Sequence, residues 1–485
     1  MSRVARPFQY TDVFMTLSHS LSRRGFLTGA AALAGAAALP RTGRAASPVG
    51  LTLAPVQSQL LPPPRPGTPV WSFGGTVPGQ ALRYRRGARL SVRAENRLDQ
   101  PSTIHWHGLR VPNSMDGVAH LTQSPIPPGG DFDYAFDLPD SGTYWYHPHM
   151  GGAEQVGRGL AGALIVEEDA PIRVDRDLVW MIQDWRLDAK GQIDPDFDTP
   201  HDAMHGGRIG NLVTLNGQAG DRVEIAPNER LRLRLINAAT ARVVALDFGA
   251  LSPVIVALDG QPVTPHAPDD GVVLIGPGMR ADIVLDGTGA PGSTQPVRDV
   301  FYDSMTYDLV TLVHGDTPVR ATAPDWDMAL APNPLSEPDL EAAQRHEVIF
   351  NGGMMGQMMM GDAAPEMIEQ MRAGKMWFVN GRASAGHDGP ALIEAPLGTS
   401  QVLALENRTG WWHPIHLHGH VFRILTRDGQ PTARREWRDT VLMAPQERVE
   451  IAFKADNPGN WMLHCHVLAH QAAGMAALIR VSDAA

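Results

Sequence analysis

One strand pattern recurs three times along the 485 residues, and this recurrence constrains the fold more than any other feature. Residues 84–96, 225–237 and 395–407 each read as a turn running into a strand that ends on asparagine, at Asn96, Asn237 and Asn407. Each follows a tight turn, at Gly74-Gly75, Asn216-Gly217 and Asn380-Gly381. Three copies of one strand unit predict three Greek-key β-sandwich domains. The length has room for about three domains. The 49 glycines and 40 prolines, with little helical periodicity, agree with an all-β chain rich in turns. The expected divisions are 47–168, 169–335 and 336–485.

The histidines obey the same repeat. His105 and His107 follow Asn96 at the interval at which His416 and His418 follow Asn407. The later pairs, His147/His149 and His464/His466, are also separated by one constant interval. At the equivalent place after Asn237 the middle repeat has Leu246. The outer domains therefore carry matching HxH strands. The middle one keeps the strand pattern without the histidines, and its expected role is to hold the outer two together. Residues two apart on a strand point the same way, so each pair presents both imidazoles to one side. Eight imidazoles from two pseudo-symmetric domains suit a cluster of three metal ions. Imidazole accepts zinc, iron, nickel or copper.

Cys465 chooses among them. It is the only cysteine, which forbids an intrachain disulfide, and it lies between His464 and His466. On a strand it would face away from those histidines, toward a second site joined covalently to the first. A thiolate with two imidazoles and a distant thioether is the ligand set of a blue-copper electron-transfer centre. Cys465, His470 and Met475 supply three of the four. The first domain has Pro148, Ala153 and Arg158 at those positions, and Ser102 where the third has His413. That asymmetry assigns His413 as the remaining ligand.

Four segments carry a family resemblance. His105-Trp106-His107-Gly108, His147-Pro148-His149, His413-Pro414-Ile415-His416-Leu417-His418-Gly419 and the stretch from His464 to Met475 resemble the signature motifs of the multicopper oxidases. The resemblance implies three cupredoxin-like domains and four copper ions. It implies a type 1 copper on His413, Cys465 and His470, with Met475 as weak axial ligand. It implies a type 2 copper on His105 and His416, and a type 3 pair on His107, His147, His149, His418, His464 and His466. In the family, electrons pass one at a time from the type 1 copper through Cys465 to His464 and His466, and the cluster reduces dioxygen to two waters. Asp116 occupies the position of a carboxylate that resembling enzymes use near the cluster. Many bacterial members carry an acid directly after the second type 1 histidine, where this chain has Gln471. Asp439 is expected to support the ligands rather than to act catalytically. The remaining histidines, such as His120, His201, His205 and His420, match no ligand position and are expected to be structural or solvated.

A methionine-rich segment adds a second theme. Met354, Met355, Met358, Met359 and Met360 crowd residues 354–360, within an insert expected at 353–376. Spacings 354/358 and 355/359 stack on one helix face, and Met367 and Met371 repeat the step. Such a stripe serves packing in many proteins, but thioethers are also soft ligands that select Cu(I). Copper-resistance oxidases resemble the chain in carrying a Met-rich insert near the type 1 site. They tend to place an Asp and a Met before the first type 1 histidine, where this chain has Thr409, Trp411 and Trp412. The resemblance points to oxidation of Cu(I), with laccase-like phenol oxidation, in copper tolerance. The alternatives are a laccase acting mainly on phenols or aromatic amines, and a non-enzymatic copper-binding scaffold.

The N-terminus reads Ser22-Arg23-Arg24-Gly25-Phe26-Leu27, then an Ala-rich apolar run and small residues near Gly43 to Ala46. This resembles a twin-arginine (Tat) export signal. Residues 1–46 are expected to be that signal, with the Tat translocase as a partner during export and the periplasm as destination. The apolar run is too short to span a bilayer, so no stable membrane anchor is expected. The net charge of −11 disfavours nucleic acid. Dioxygen and a Cu(I) or phenolic reductant are the expected partners of a monomer.

Overall fold

The computed structural model describes residues 48–354, 365–384 and 389–483. The expected export signal and Met355, Met358, Met359 and Met360 lie outside the described residues. Six sheets follow one another along the chain in three pairs. In the first pair, Thr68–Phe73, Val49–Ser58, Arg89–Asn96 and Asp131–Asp137 form one sheet. Gly79–Arg85, Gly162–Glu167, Gly142–His147 and His105–His107 form the other. This is the all-β architecture expected of cupredoxin-like sandwiches.

The repeat strands occupy one structural position three times. Arg89–Asn96, Arg230–Asn237 and Ser400–Asn407 each run parallel to the first strand of their sandwich. Each pairs antiparallel with a later strand on its other side, at Asp131–Asp137, Arg280–Asp286 and Arg448–Lys454. The preceding turns are equally alike. Gly74 and Gly75 have φ of 73° and 92°, Asn216 and Gly217 of 51° and 80°, Asn380 and Gly381 of 49° and 76°. Two residues with positive φ match the right-handed twist of the strands they join, which favours Asn and Gly there.

The closing asparagines explain their own recurrence. Asn96 donates from Nδ2 to the carbonyls of Gln100 and Ile126, Asn237 to those of Arg242 and Ile275, and Asn407 to those of Trp411 and Ala444. Each Oδ1 accepts the N–H two residues on. One buried amide thus satisfies the backbone where the chain leaves the strand for the next segment. In the outer sandwiches that next segment carries the first histidines.

Each sandwich has its own apolar core, around Trp106 and Tyr134, around Leu233 and Ile283, and around Phe422 and Trp461. The middle repeat strand is buried on both faces, including Arg232 and Arg234. Arg232 donates to Glu168 and Asp282, both at 2.6 Å. Arg234 grips Asp177 and reaches the Thr143 hydroxyl of the first sandwich at 3.0 Å. Buried guanidinium groups need such partners; Asp177 and Asp282 lie in the same sheet, while Thr143 and Glu168 come from the side of the first sandwich. The middle sandwich thus contacts the first through Arg234 and Thr143.

One local expectation changes. Only His105–His107 lies wholly within a strand. The strands Gly142–His147, His413–Leu417 and Gly459–Cys465 end inside their HxH pairs. Among the described residues, no helix is long and apolar enough to cross a membrane.

Candidate metal centre

The strand Gly459–Cys465 pairs with His413–Leu417 in a register that sets Ile415 opposite Cys465 and His416 opposite His464. Neighbouring residues on a strand face opposite ways, so the cysteine turns into the third core beside Met443 and Met475 while His464 turns to the seam. Cys465 Sγ lies 3.5 Å from His413 Nδ1 and 3.7 Å from His470 Nδ1, and the two nitrogens are 3.2 Å apart. The short helix Leu468–Ala472 carries His470 back to the thiol. Met475 is fully buried in the same cluster, and its carbonyl accepts the Cys465 N–H at 3.1 Å.

The outer nitrogens fix the tautomers. His413 Nε2–H donates to the Thr409 hydroxyl at 2.8 Å, and His470 Nε2–H to the His205 carbonyl at 2.6 Å. Both Nδ1 atoms therefore keep lone pairs aimed at the sulfur and at each other. Such a meeting of donors is repulsive unless a cation sits among them. Trp377 packs on both rings, with centroids 5.1 and 4.2 Å away.

The second group repeats the logic at the seam of the first and third sandwiches. His105 faces His147 across one strand pair, as His416 faces His464 across the other. Nδ1–H of His105, His416, His147 and His464 donates to the carbonyls of Asp116, Asp439, Pro148 and Cys465, at 2.7 to 3.0 Å. His418 Nδ1–H donates to Asp116 Oδ2 at 2.9 Å. Each of these donations leaves Nε2 with a lone pair. His107 is turned round, with Nε2 3.3 Å from both the Thr440 hydroxyl and Asp439 Oδ1.

Nε2 of His105, His147, His416 and His466, and Nδ1 of His107, are buried without a partner among the described residues. Nε2 of His418 and of His464 face each other at 3.0 Å. Ring contacts link all eight into one cluster, with the tightest stacks at 3.8 Å between His107 and His416 and 4.0 Å between His105 and His418. His105 stands 5.9 Å from His416; His107, His147 and His466 are mutually 4.9 to 5.8 Å apart; His149, His418 and His464 are 5.0 to 5.4 Å apart. Ligand atoms of His149, His418 and His464 lie within 4.8 Å of one another. The same holds for His105 with His416 and His418, and for His105 with His107 and His147.

Burial, reinforced by neighbouring imidazoles, keeps His107, His147, His418 and His466 neutral far below the usual histidine range. Burial lowers His464 and His470 to about 3. It pushes the Cys465 thiol up. Neutral imidazoles are ready ligands, and a bound metal removes a coordinating thiol's proton outright.

Models of the multicopper oxidase family match residues 56–171, 176–293 and 361–485. The chain belongs to the multicopper oxidase family. The multicopper oxidase MmcO of Mycobacterium tuberculosis is 31% identical over 476 residues, spanning 91% of this chain and 88% of its own. A copper resistance protein A homolog of Pseudomonas syringae pv. tomato is 25% identical over 536 residues, spanning 85% and 89%. The crystal structure of a multi-copper oxidase from Pseudomonas parafulva, 36% identical, superposes with a TM-score of 0.78 over 90% of this chain and 100% of the other.

Copper fits the donors of this multicopper oxidase. One thiol, ten imidazoles and a buried thioether are soft to intermediate ligands, and the seam offers unpartnered nitrogens in place of carboxylates. The two acids at the seam support the histidines. Asp116 uses its carbonyl for His105 and its carboxylate for His418. Asp439 is fully buried; against the cost of that burial, the Arg280 guanidinium holds its carboxyl far below the usual range. A cavity of about 310 Å³ opens onto His147 and His149, with His120, Met462 and Gln471 in its wall. Gln471 Nε2 is 3.5 Å from His149 Nε2.

Sequence reasoning missed several partners in this multicopper oxidase. Thr409 fixes His413, Trp377 packs on both thiol-site imidazoles, and Arg280 reaches Asp439 from the middle sandwich. The strand pattern marks none of these. His205, expected to be structural or solvated, contributes its backbone carbonyl. Of the methionines, Met354 is exposed, Met367 is buried and Met371 half-buried on the helix Pro365–Arg372.

Proposed function

We propose that this multicopper oxidase oxidises Cu(I) to Cu(II) in copper tolerance, with laccase-like phenol oxidation as a further activity. Four such oxidations reduce one dioxygen to two waters. In this reading His413, Cys465 and His470, together with Met475, would hold a type 1 copper, and His105 and His416 would hold a type 2 copper. The type 3 pair would be held by His107, His147, His149, His418, His464 and His466. Copper so held supplies one-electron acceptance at the thiolate and dioxygen reduction at the cluster.

The chain supplies the path and the proton. Cys465 is bonded through its backbone to both His464 and His466, and its carbonyl accepts His464 Nδ1–H at 2.9 Å, so the route between the two groups is short. Asp116 is fully buried, with Oδ2 accepting from His418 at 2.9 Å and Oδ1 3.3 Å from His105 Nδ1. A buried carboxylate touching two of these histidines suits a proton carrier beside the cluster. Gln471, an amide, cannot titrate.

One observation supports Cu(I) in particular. Gly353 packs so closely on Trp377 that a Cβ there would come within 2.5 Å of the ring, and Trp377 lies on His413 and His470. Met354, with which the methionine run begins, is the next residue in the sequence. The test replaces Met354, Met355, Met358, Met359 and Met360 with Leu, a volume-conserving change. Cu(I) turnover should fall relative to phenol turnover. Loss of phenol turnover with Cu(I) turnover intact would instead favour a laccase.

Export by the Tat pathway to the periplasm, as a monomer, belongs to the same reading. Arg23→Lys with Arg24→Lys should leave uncleaved protein in the cytoplasm.

A further inference from the structure

The imidazole of His470 is fully buried. Its outer edge meets the backbone carbonyl of His205 at 2.6 Å. A reductant therefore meets the covering loop before it meets this ring. The loop belongs to the middle sandwich and is held from several sides. Thr199 caps the helix Pro200–Met204 by accepting the Asp202 N–H at 3.1 Å. Trp377 Nε1–H donates to the Ala203 carbonyl. Gly207 has φ +85°, and a Cβ there would come within 2.5 Å of Val467. Trp411 stands edge-on to His205 with ring centres 5.5 Å apart.

The same helix presents a pair of imidazoles. His201 and His205 lie one turn apart and stack with centroids 4.3 Å apart and planes at 16°. The His201 side chain is 78% exposed. His205 Nδ1–H donates to the His201 carbonyl at 2.8 Å, which leaves its lone pair on Nε2. The adjacent carboxylate is already engaged: Asp202 is buried, and Arg186 takes both oxygens at 2.6 and 2.8 Å. The helix therefore offers two imidazoles, and the one acid beside them, 3.8 Å from His201 Nδ1, is taken up by Arg186. Zinc wants four ligands and calcium or magnesium want oxygens, whereas Cu(I) is satisfied by few, uncharged donors.

We propose that His201 and His205 form a docking site for the Cu(I) substrate, whose electron reaches the thiol site through the His205 carbonyl and His470. The inference rests on the Cu(I) reading above and adds a port on the middle sandwich. Each docked Cu(I) leaves as Cu(II) after losing one electron. Four such losses, with four protons, convert one dioxygen to two waters.

The test compares the natural holoprotein with His201→Ala/His205→Ala, and repeats the comparison between the five-fold Met→Leu protein and that protein carrying both His changes. Replacing the side chain keeps the backbone carbonyl, so the variant loses the dock and retains the path. Ag(I), a redox-inert stand-in for Cu(I), is titrated calorimetrically, and Cu(I) turnover is measured with the acetonitrile complex as substrate. Ag(I) stoichiometry should fall by one per chain. KM for Cu(I) should rise about 10-fold or more with kcat retained, since even outer partners of metal ligands cost that much affinity. Unchanged Ag(I) stoichiometry overturns the site. Lost Ag(I) binding with an unchanged KM overturns its role as the port. If the natural chain turns over no Cu(I) at all, the broader reading falls too, whereas an unchanged KM for Cu(I) in the His variant sinks this inference alone.

Discussion

Arg280 of the middle sandwich holds Asp439 of the third with both ends of its guanidinium, at 2.8 and 2.6 Å. The same carboxylate lies 3.3 Å from His107 and 3.4 Å from His416. Arg280 also donates to the Thr143 carbonyl of the first sandwich at 3.1 Å. One fully buried side chain thus joins three sandwiches directly behind the histidine cluster. This gives the ligand-free middle domain a physical role in the centre.

Removing Arg280 should be costly because it strands a buried carboxylate. Arg280→Met is expected to destabilise the chain by about 3–5 kcal/mol in urea unfolding, the usual loss when one member of a buried pair is deleted. Adding Asp439→Leu should recover part of that loss, since the two changes are not additive. A single-variant loss near zero would contradict the arrangement.

Asp116 serves two histidines, so its loss should act on dioxygen reduction and spare electron uptake. Asp116→Ala is expected to lower steady-state turnover by about 10- to 100-fold, as removal of a ligand's hydrogen-bond partner does. Stopped-flow bleaching of the blue colour by a phenol under argon should keep its rate. A slowed bleaching would place the defect at the thiol site instead.

Cys465→Ser tests the thiolate directly. The variant should lose its blue absorbance and one copper per chain, and turnover of every reductant should drop to background. Retained turnover with any reductant would show a route into the cluster that bypasses the cysteine.

The copper-free protein should weaken in acid. His464 and His470 are lowered to about 3 in the folded chain, against about 6.5 when unfolded. Between those values the unfolded chain takes up protons that the folded one refuses, so stability falls as pH falls. The thermal midpoint of the copper-free protein is expected to be lower at pH 5 than at pH 7. Equal midpoints would mean that these rings are not held neutral.

The sequence carried those parts of the molecule that are written as local pattern. Asn96, Asn237 and Asn407 recur because each satisfies the same strand exit, and the turns at 74–75, 216–217 and 380–381 recur because each needs two positive φ angles. The histidine intervals translate into cross-strand partners, His105 with His147 and His416 with His464. What stayed hidden depends on packing between distant segments. Arg280 looks like any strand arginine until the sandwiches close on it. Thr409 stood out only as a departure from copper-resistance relatives, yet its hydroxyl sets the His413 tautomer. The His205 carbonyl could not be read at all, because a backbone atom leaves no mark on residue type.

The most direct test is the copper content of the aerobically purified protein, read together with its absorption and EPR spectra. The account predicts four ions per chain: one blue and thiolate-bound, one EPR-visible without that colour, and two EPR-silent as a coupled pair. A colourless protein holding one ion per chain would contradict it.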